Sequence, residues 1–416
     1  MITIQKPYIQ NNDNSARLCA NIVQDNSEKT MYFEVPSEYG DYLCDEVADA
    51  FVVGLIDYAF ALGEDIVSEA PVSERLLYQL QVYYLKTMPV VRPKHCKPIN
   101  ITAPAYTGKI ESAGAVAGSA SGGVDSYYTI ARHTDSVSKR YRLTHLLIAN
   151  QFNFYKDEED TRNRFEKVVA SAQPIADNYG LNLIPIFTNH NDFLFDGFVQ
   201  EYSMRICSYA FALQKLIQTY YISSGVSFDQ FDYSGHDSDS YDIFNLSAAS
   251  TDNLSFYSSG GEVSRTQKIA FFAEDTFIQK NLKVCNYDDG HNCSKCEKCL
   301  RTMLSLDIIG RLDGFCDSFD TKEFQKRKRG YLSTVYSGRL ESSSDFISAI
   351  KRYNYRVPFY CKLYGKTVLF LKWKIKEALK KITWLRKLYF ALKIDFLIYG
   401  KEKATLYRYG TENEIE

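Results

Sequence analysis

Between residues 113 and 226 the apolar positions fall into two alternating kinds of segment. Segments 113–120, 143–149 and 181–187 are short, largely apolar runs that suit strands covered on both faces. Segments 127–133, 160–179 and 204–218 space their apolar residues at helical period, and 219–226 reads as a further strand. This alternation predicts an α/β fold, a doubly wound, mostly parallel sheet with helices on both sides. Upstream, 17–23 and 30–35 read as strands and 45–62 as a helix. A second helix is expected at 73–85, capped by Ser73. Pro89, Pro93, Pro98 and Pro104 then break regular structure. Residues 227–260 are rich in Ser, Asp, Tyr and Gly and read as a long loop. Helices are expected at 266–280 and 300–309. The expected division is an α+β region at 1–105, an α/β domain at 110–315 and a basic, mainly helical extension at 316–416.

The extension repeats apolar residues at Leu371, Ile375, Ala378, Ile382, Leu385, Tyr389, Leu392 and Phe396, a stripe along one helix. Lys372, Lys376, Lys380, Lys381, Lys387 and Lys393 decorate the remainder. Three occupants stay open for this helix: the protein's own body or a second subunit, an anionic membrane surface, or RNA phosphates.

The formal net charge is −2 over 416 residues, and the average conceals a polarised chain. Residues 351–416 hold 16 Lys/Arg against 6 Asp/Glu, leaving 33 against 45 in the first 350. The N-terminal residues lack the apolar core of a secretion signal, and no run of 18 apolar residues occurs. A cytoplasmic, reducing location is therefore expected. There, clustered cysteines point to a metal and scattered ones to small buried hydrophobes.

The strand expected at 113–120 ends in Ser121-Gly122-Gly123-Val124-Asp125-Ser126, and a helix follows. Gly122 and Gly123 let the backbone approach a phosphate and adopt positive φ. Loop N–H groups then form an anion nest, and the helix N-terminus adds partial positive charge. Ser119, Ser121 and Ser126 offer hydroxyl donors. Asp125 beside a polyanion suits either Mg²⁺ binding or a hold on loop N–H groups. The loop lacks the Gly-Lys-Ser/Thr of a Walker loop and the Gly-x-Gly-x-x-Gly of a dinucleotide site.

Cys285, Cys293, Cys296 and Cys299 supply four thiolates at a spacing that suits tetrahedral, structural Zn²⁺. An iron–sulfur cluster is the lesser alternative. His291 is a spare ligand, and His236, Asp237, Asp239 and Asp242 are candidates for site or Mg²⁺ residues in the polar loop. The Asp residues equally suit local turn hydrogen bonds. Cys207 suits either a sulfur carrier or a buried thiol.

The six-residue loop resembles the PP-loop of the N-type ATP pyrophosphatases. Followed by the four-cysteine cluster and then Leu300-Arg301, it resembles the 7-cyano-7-deazaguanine synthase family over residues 113–310. That resemblance implies an adenine nucleotide alpha-hydrolase-like fold. It also implies ATP bound through Ser119 and Ser121 to Ser126, Val124 included. Ser121, Asp125 and Ser126 would act in AMP transfer to a carboxylate, which a nitrogen nucleophile resolves to amide or nitrile. In Ser264-Arg265-Thr266-Gln267-Lys268-Ile269, Arg265 and Lys268 are implied partners for phosphate or carboxylate. The chain departs from the family in length: about 110 residues precede the loop and about 100 follow the last helix of the match. The segment 233–239 matches the family's base pocket loosely, which leaves the acceptor open. Two rivals remain, a tRNA-modifying thiolase or ligase on the same loop and a non-catalytic nucleotide-binding module.

Overall fold

A computed structural model of the chain describes residues 1–134, 138–150, 157–193, 198–233, 237–285, 291–340 and 342–380. The chain forms two compact units, Met1–Ser264 and Arg265–Glu416.

The first unit opens with β1 (Ile2–Ile4), β2 (Tyr8–Asn11), β3 (Ser15–Gln24) and β4 (Ser27–Pro36). Helix α1 (Asp49–Leu62) is apolar almost all round and buries eleven of its residues, as a core helix does. It ends where Gly63 takes φ 75° and donates to Ala59 O. Short strands β5 (Ile66–Ser68) and β6 (Val72–Ser73) precede α2 (Glu74–Gln79). A π turn joins α2 to α3 (Leu85–Val91), and β7 (Ile101–Thr102) and β8 (Ala105–Tyr106) follow. Ser73 stands at the start of α2, but its hydroxyl makes no cap. It donates instead to the buried Asp49 carboxylate at 2.5 Å.

The alternating segment follows as β9 (Ala115–Ser119), α4 (Val124–Thr134), β10 (His145–Ala149), α5 (Glu158–Tyr179), β11 (Asn182–Thr188), α6 (Phe198–Ala212) and β12 (Ile217–Ser223). Residues 227–260 are not a plain loop. They contain α7 (Asp242–Ala249) and β13 (Ser255–Ser259), both too short for periodicity to reveal. Strands β13-β12-β9-β10-β11 are parallel neighbours in that order.

The same sheet continues into β4, β3, β1, β5 and β7, with β2 pairing β3. At the junction β11 pairs β4 antiparallel, Phe187 opposite Glu34 and Thr188 opposite Phe33. Side chains extend this ladder. Thr188 Oγ1 donates to Tyr32 O at 2.6 Å, Asn189 Nδ2 to Thr30 O at 2.8 Å, and Tyr32 N to Asn189 Oδ1 at 3.0 Å. Arg162 holds both Glu34 carboxylate oxygens and lies 3.9 Å from the Phe187 ring centre. The proline-rich stretch that suggests a boundary near residue 105 thus lies inside the first unit.

The second unit is helical: α8 (Arg265–Phe272), α9 (Thr276–Asn281), α10 (Glu297–Ile308), α11 (Thr321–Tyr336), α12 (Ser343–Arg352), α13 (Phe359–Tyr364) and α14 (Phe370–Lys380). The helix expected at 266–280 is two helices, because Asp275 Oδ1 caps α9 by accepting from Phe277 N and Ile278 N. Asp345 on α12 accepts from both Thr266 N and Thr266 Oγ1, which fixes the start of α8. The expected tail stripe beyond residue 380, from Ile382 to Phe396, lies outside the described residues. Among the described residues no helix is long and apolar enough to cross a membrane.

Candidate functional site

The Ser121–Ser126 loop leaves the carboxyl end of β9. From β9 the chain builds outward to β10 and β11, then returns to the other side for β12 and β13. The order of strands therefore reverses between β9 and β12, directly under the loop. Gly122 sits at φ 68°, a conformation that L side chains rarely adopt. The loop folds onto the helix that follows it. Ser126 Oγ donates to Ser119 O at 2.8 Å and accepts from Ser121 N at 3.2 Å. Gly123 O accepts from Tyr127 N, and α4 begins at Val124. Ser126 is buried, and its hydroxyl is engaged within the loop, whereas Ser121 is exposed. Both hydroxyls brace the loop, Ser126 from its buried side and Ser121 from its exposed side, where Oγ accepts from Gly123 N at 3.4 Å.

Carboxylates gather at the same end of the sheet. Asp239 is held well above the usual carboxylate range, first by burial and then by the charges of Asp237, Asp242 and Asp125. Asp237 Oδ1 accepts from Asp239 N, and Asp242 Oδ2 accepts from Ser258 Oγ at 2.9 Å, so both serve turn and strand contacts. His236 lies outside the described residues.

On the helix after the loop, His133 stacks on Tyr221 with ring centres 3.8 Å apart, and its Nε2 lies 3.0 Å from Ser259 Oγ. It borders a cavity of about 360 Å³ that Arg132, Tyr257 and Glu262 also line. Burial, then the Arg132 charge, lowers His133 to about 4, so it is neutral at pH 7. None of the loop residues lines this cavity. The residues that do come from separate elements with no motif to announce them.

The second unit carries the cysteine cluster. One sulfur from each of Cys285, Cys293, Cys296 and Cys299 lies within 4.8 Å of the others. Cys285 and Cys296 sulfurs are 3.8 Å apart, and those of Cys293 and Cys299 3.9 Å. Three features of the chain make this quartet. Ser294 takes φ 57° and turns the chain between the second and third ligands. Cys296 is the N-cap of α10, its sulfur accepting from Cys299 N. The Asn292 amide ties the first ligand to the rest: Oδ1 accepts from Val284 N and Cys285 N, while Nδ2 donates to Leu282 O and Ser318 O. A hydrogen bond from Cys299 favours the Cys296 thiolate and holds the Cys299 thiol protonated. A preformed four-sulfur cage of this size can hold a metal such as zinc. His291 is exposed and stands outside the group of four.

The chain finds no match among family models, curated proteins or solved structures. Its function is therefore read from its own residues.

Arg265 is the first residue of α8 and Lys268 is buried within it, both in the unit that holds the cysteines. Lys298 and Arg301, on α10, join Arg265. Burial, then the charges of Arg301 and Arg265, lowers the Lys298 ammonium. Three cations thus converge near the starts of α8 and α10. Lys298 escaped notice in the sequence because it stands beside the cysteines as an ordinary flanking charge. Cys207 is fully buried in α6, and burial pushes its thiol well up, which makes it a poor sulfur carrier.

Proposed function

We propose that this chain binds ATP at the Ser121–Ser126 loop and transfers AMP to an acceptor carboxylate. The observation that carries the reading is the loop's place. A Gly-Gly turn with left-handed Gly122 leaves the central parallel strand where strand order reverses, and a helix starts at once. In open α/β sheets that crevice is where ligands bind, and a helix N-terminus beside it favours phosphate. The strand order suits a doubly wound, adenine nucleotide alpha-hydrolase-like domain.

In this reading loop N–H groups and the Ser121 hydroxyl hold the β- and γ-phosphates. The acceptor carboxylate oxygen attacks the α-phosphorus, and the bond to the bridging oxygen of pyrophosphate breaks. A nitrogen nucleophile then displaces AMP from the acyl-adenylate, giving an amide, with a nitrile reached by a second adenylation. Positioning and charge stabilisation suffice, and no side-chain nucleophile is required. Asp125, whose charge reaches the crowded carboxylates, fits a Mg²⁺ that neutralises phosphate charge. The closed four-thiolate cage suits a structural zinc, with no open position for catalysis. The buried Cys207 favours carboxylate activation over tRNA thiolation.

The test is pyrophosphate release from Mg·ATP with a panel of carboxylates and ammonia, with mass spectrometry of the adenylated species. Gly122→Val and Asp125→Ala are each expected to lower the rate about 100-fold or more. No pyrophosphate with any acceptor, together with ATP binding unchanged in both variants, would overturn the proposal.

A further inference from the structure

Helix α13, the π turn Gly365–Leu369 and α14 run on as one helical stretch, of which α13 and the π turn pack on α11. Its inner side is marked by Cys361, fully buried, and Gly365, where a Cβ would come within 2.8 Å of Tyr336 Cβ. Large apolar side chains fill the outer side. Phe359 is 77% exposed and Leu371 60%, and Leu363, Tyr364, Phe370 and Ile375 are exposed as well. Phe359, Leu363 and Phe370 follow one row at successive steps of four and seven residues, and Tyr364, Leu371 and Ile375 follow a second at steps of seven and four, offset by about 100° around the helix. Lys366, Lys372 and Lys374 are exposed among and beside them, with Lys374 Nζ 4.8 Å from the Trp373 ring centre.

Charge identifies the occupant. Residues 359–380 contain six Lys and a single acid, Glu377. A second copy laid on this face would set lysine against lysine with that one acid to pair. Nucleic-acid binding would use the cations and the aromatic rings but gives no reason to expose Leu363, Val368, Leu371 and Ile375 to water. An anionic bilayer surface satisfies both features at once. Acyl chains take the aliphatic and aromatic side chains, and lipid phosphates take the lysines. We propose that the outer face of α13–α14 docks flat on an anionic membrane surface and places the second unit at the bilayer. This surface is independent of the adenylation reading.

Vesicle co-sedimentation of the full chain tests it. Phosphatidylcholine vesicles are compared with phosphatidylcholine–phosphatidylglycerol vesicles, at low and high salt. Binding is expected on the anionic vesicles only, weakened by salt, with each exposed lysine worth about fivefold in affinity. Leu371→Asp with Ile375→Asp removes the apolar contact. Lys366→Glu, Lys372→Glu and Lys374→Glu together reverse the charge. Both sets are expected to abolish sedimentation while circular dichroism and zinc content stay unchanged. Equal binding to neutral vesicles, or none to either, overturns the proposal. So does an oligomer that Leu371→Asp dissolves, or RNA capture at the same salt without vesicle binding.

Discussion

Asp49 shows how one buried group sets a pH dependence. It is fully buried in α1 and takes hydrogen bonds from Ser73 N, Ser73 Oγ and Gln214 Nε2. Burial outweighs those bonds and raises its carboxyl from 3.8 to about 6. The folded state therefore holds the proton more tightly than the unfolded chain does. Stability falls as pH rises through 4 to 6, by about 3 kcal/mol for a shift of this size. Asp49→Asn is expected to flatten this slope, so its stability relative to the parent rises between pH 4 and pH 7. Urea denaturation at both pH values reads the difference, and parallel curves would assign the slope elsewhere. Nothing in the sequence separated Asp49 from the exposed acids, since its burial depends on α1 being covered all round. The loop residues behaved differently. The motif allowed a positive φ at Gly122 and Gly123, and the coordinates place it at Gly122 and not at Gly123, just as the inward use of Ser126 required the coordinates of Ser119 and Ser121.

Among the elements, the cysteine knuckle was legible in the sequence because its ligands are local. Three of the four sulfurs come from seven consecutive residues, and a helix start presents the last two. What periodicity and spacing did not reveal is Asn292, whose amide stitches four backbone groups around the site. Asn292→Ala leaves every sulfur in place and is expected to weaken zinc retention about 10-fold, as losing an outer hydrogen-bond partner does at other metal sites. Cys296→Ser with Cys299→Ser is expected to abolish retention. Competition with a chromophoric chelator measures both, and zinc held equally by all three proteins would remove the knuckle. Helix α7 and strand β13 mark the opposite case. Both are short, and they exist because a parallel edge next to β12 and a packed α6 stabilise them.

For the whole first unit, the decisive contact is the antiparallel seam between β11 and β4. It joins the opening hundred residues to the loop-bearing sheet, and Phe33, Phe51 and Tyr209 pack together behind it. A fragment of residues 110–416 would lose β4 and α1, exposing an edge of β11 and the apolar face of α6. It is expected to aggregate or to lose cooperative unfolding, while the full chain unfolds the first unit in one transition. Calorimetry on both decides, and a soluble, cooperatively folding fragment would show that the opening region is separable. By itself the sequence determined the parallel α/β alternation, the glycine loop between strand and helix, and the four-cysteine spacing. Each of these is written in residues close along the chain. Only the tertiary structure decided that the first hundred residues extend the same sheet. It also brought Asp125, Asp237 and Asp242 within reach of Asp239, and turned a lysine-flanked apolar face outward. These depend on pairings between distant segments, which backbone hydrogen bonding permits in many registers and only packing selects.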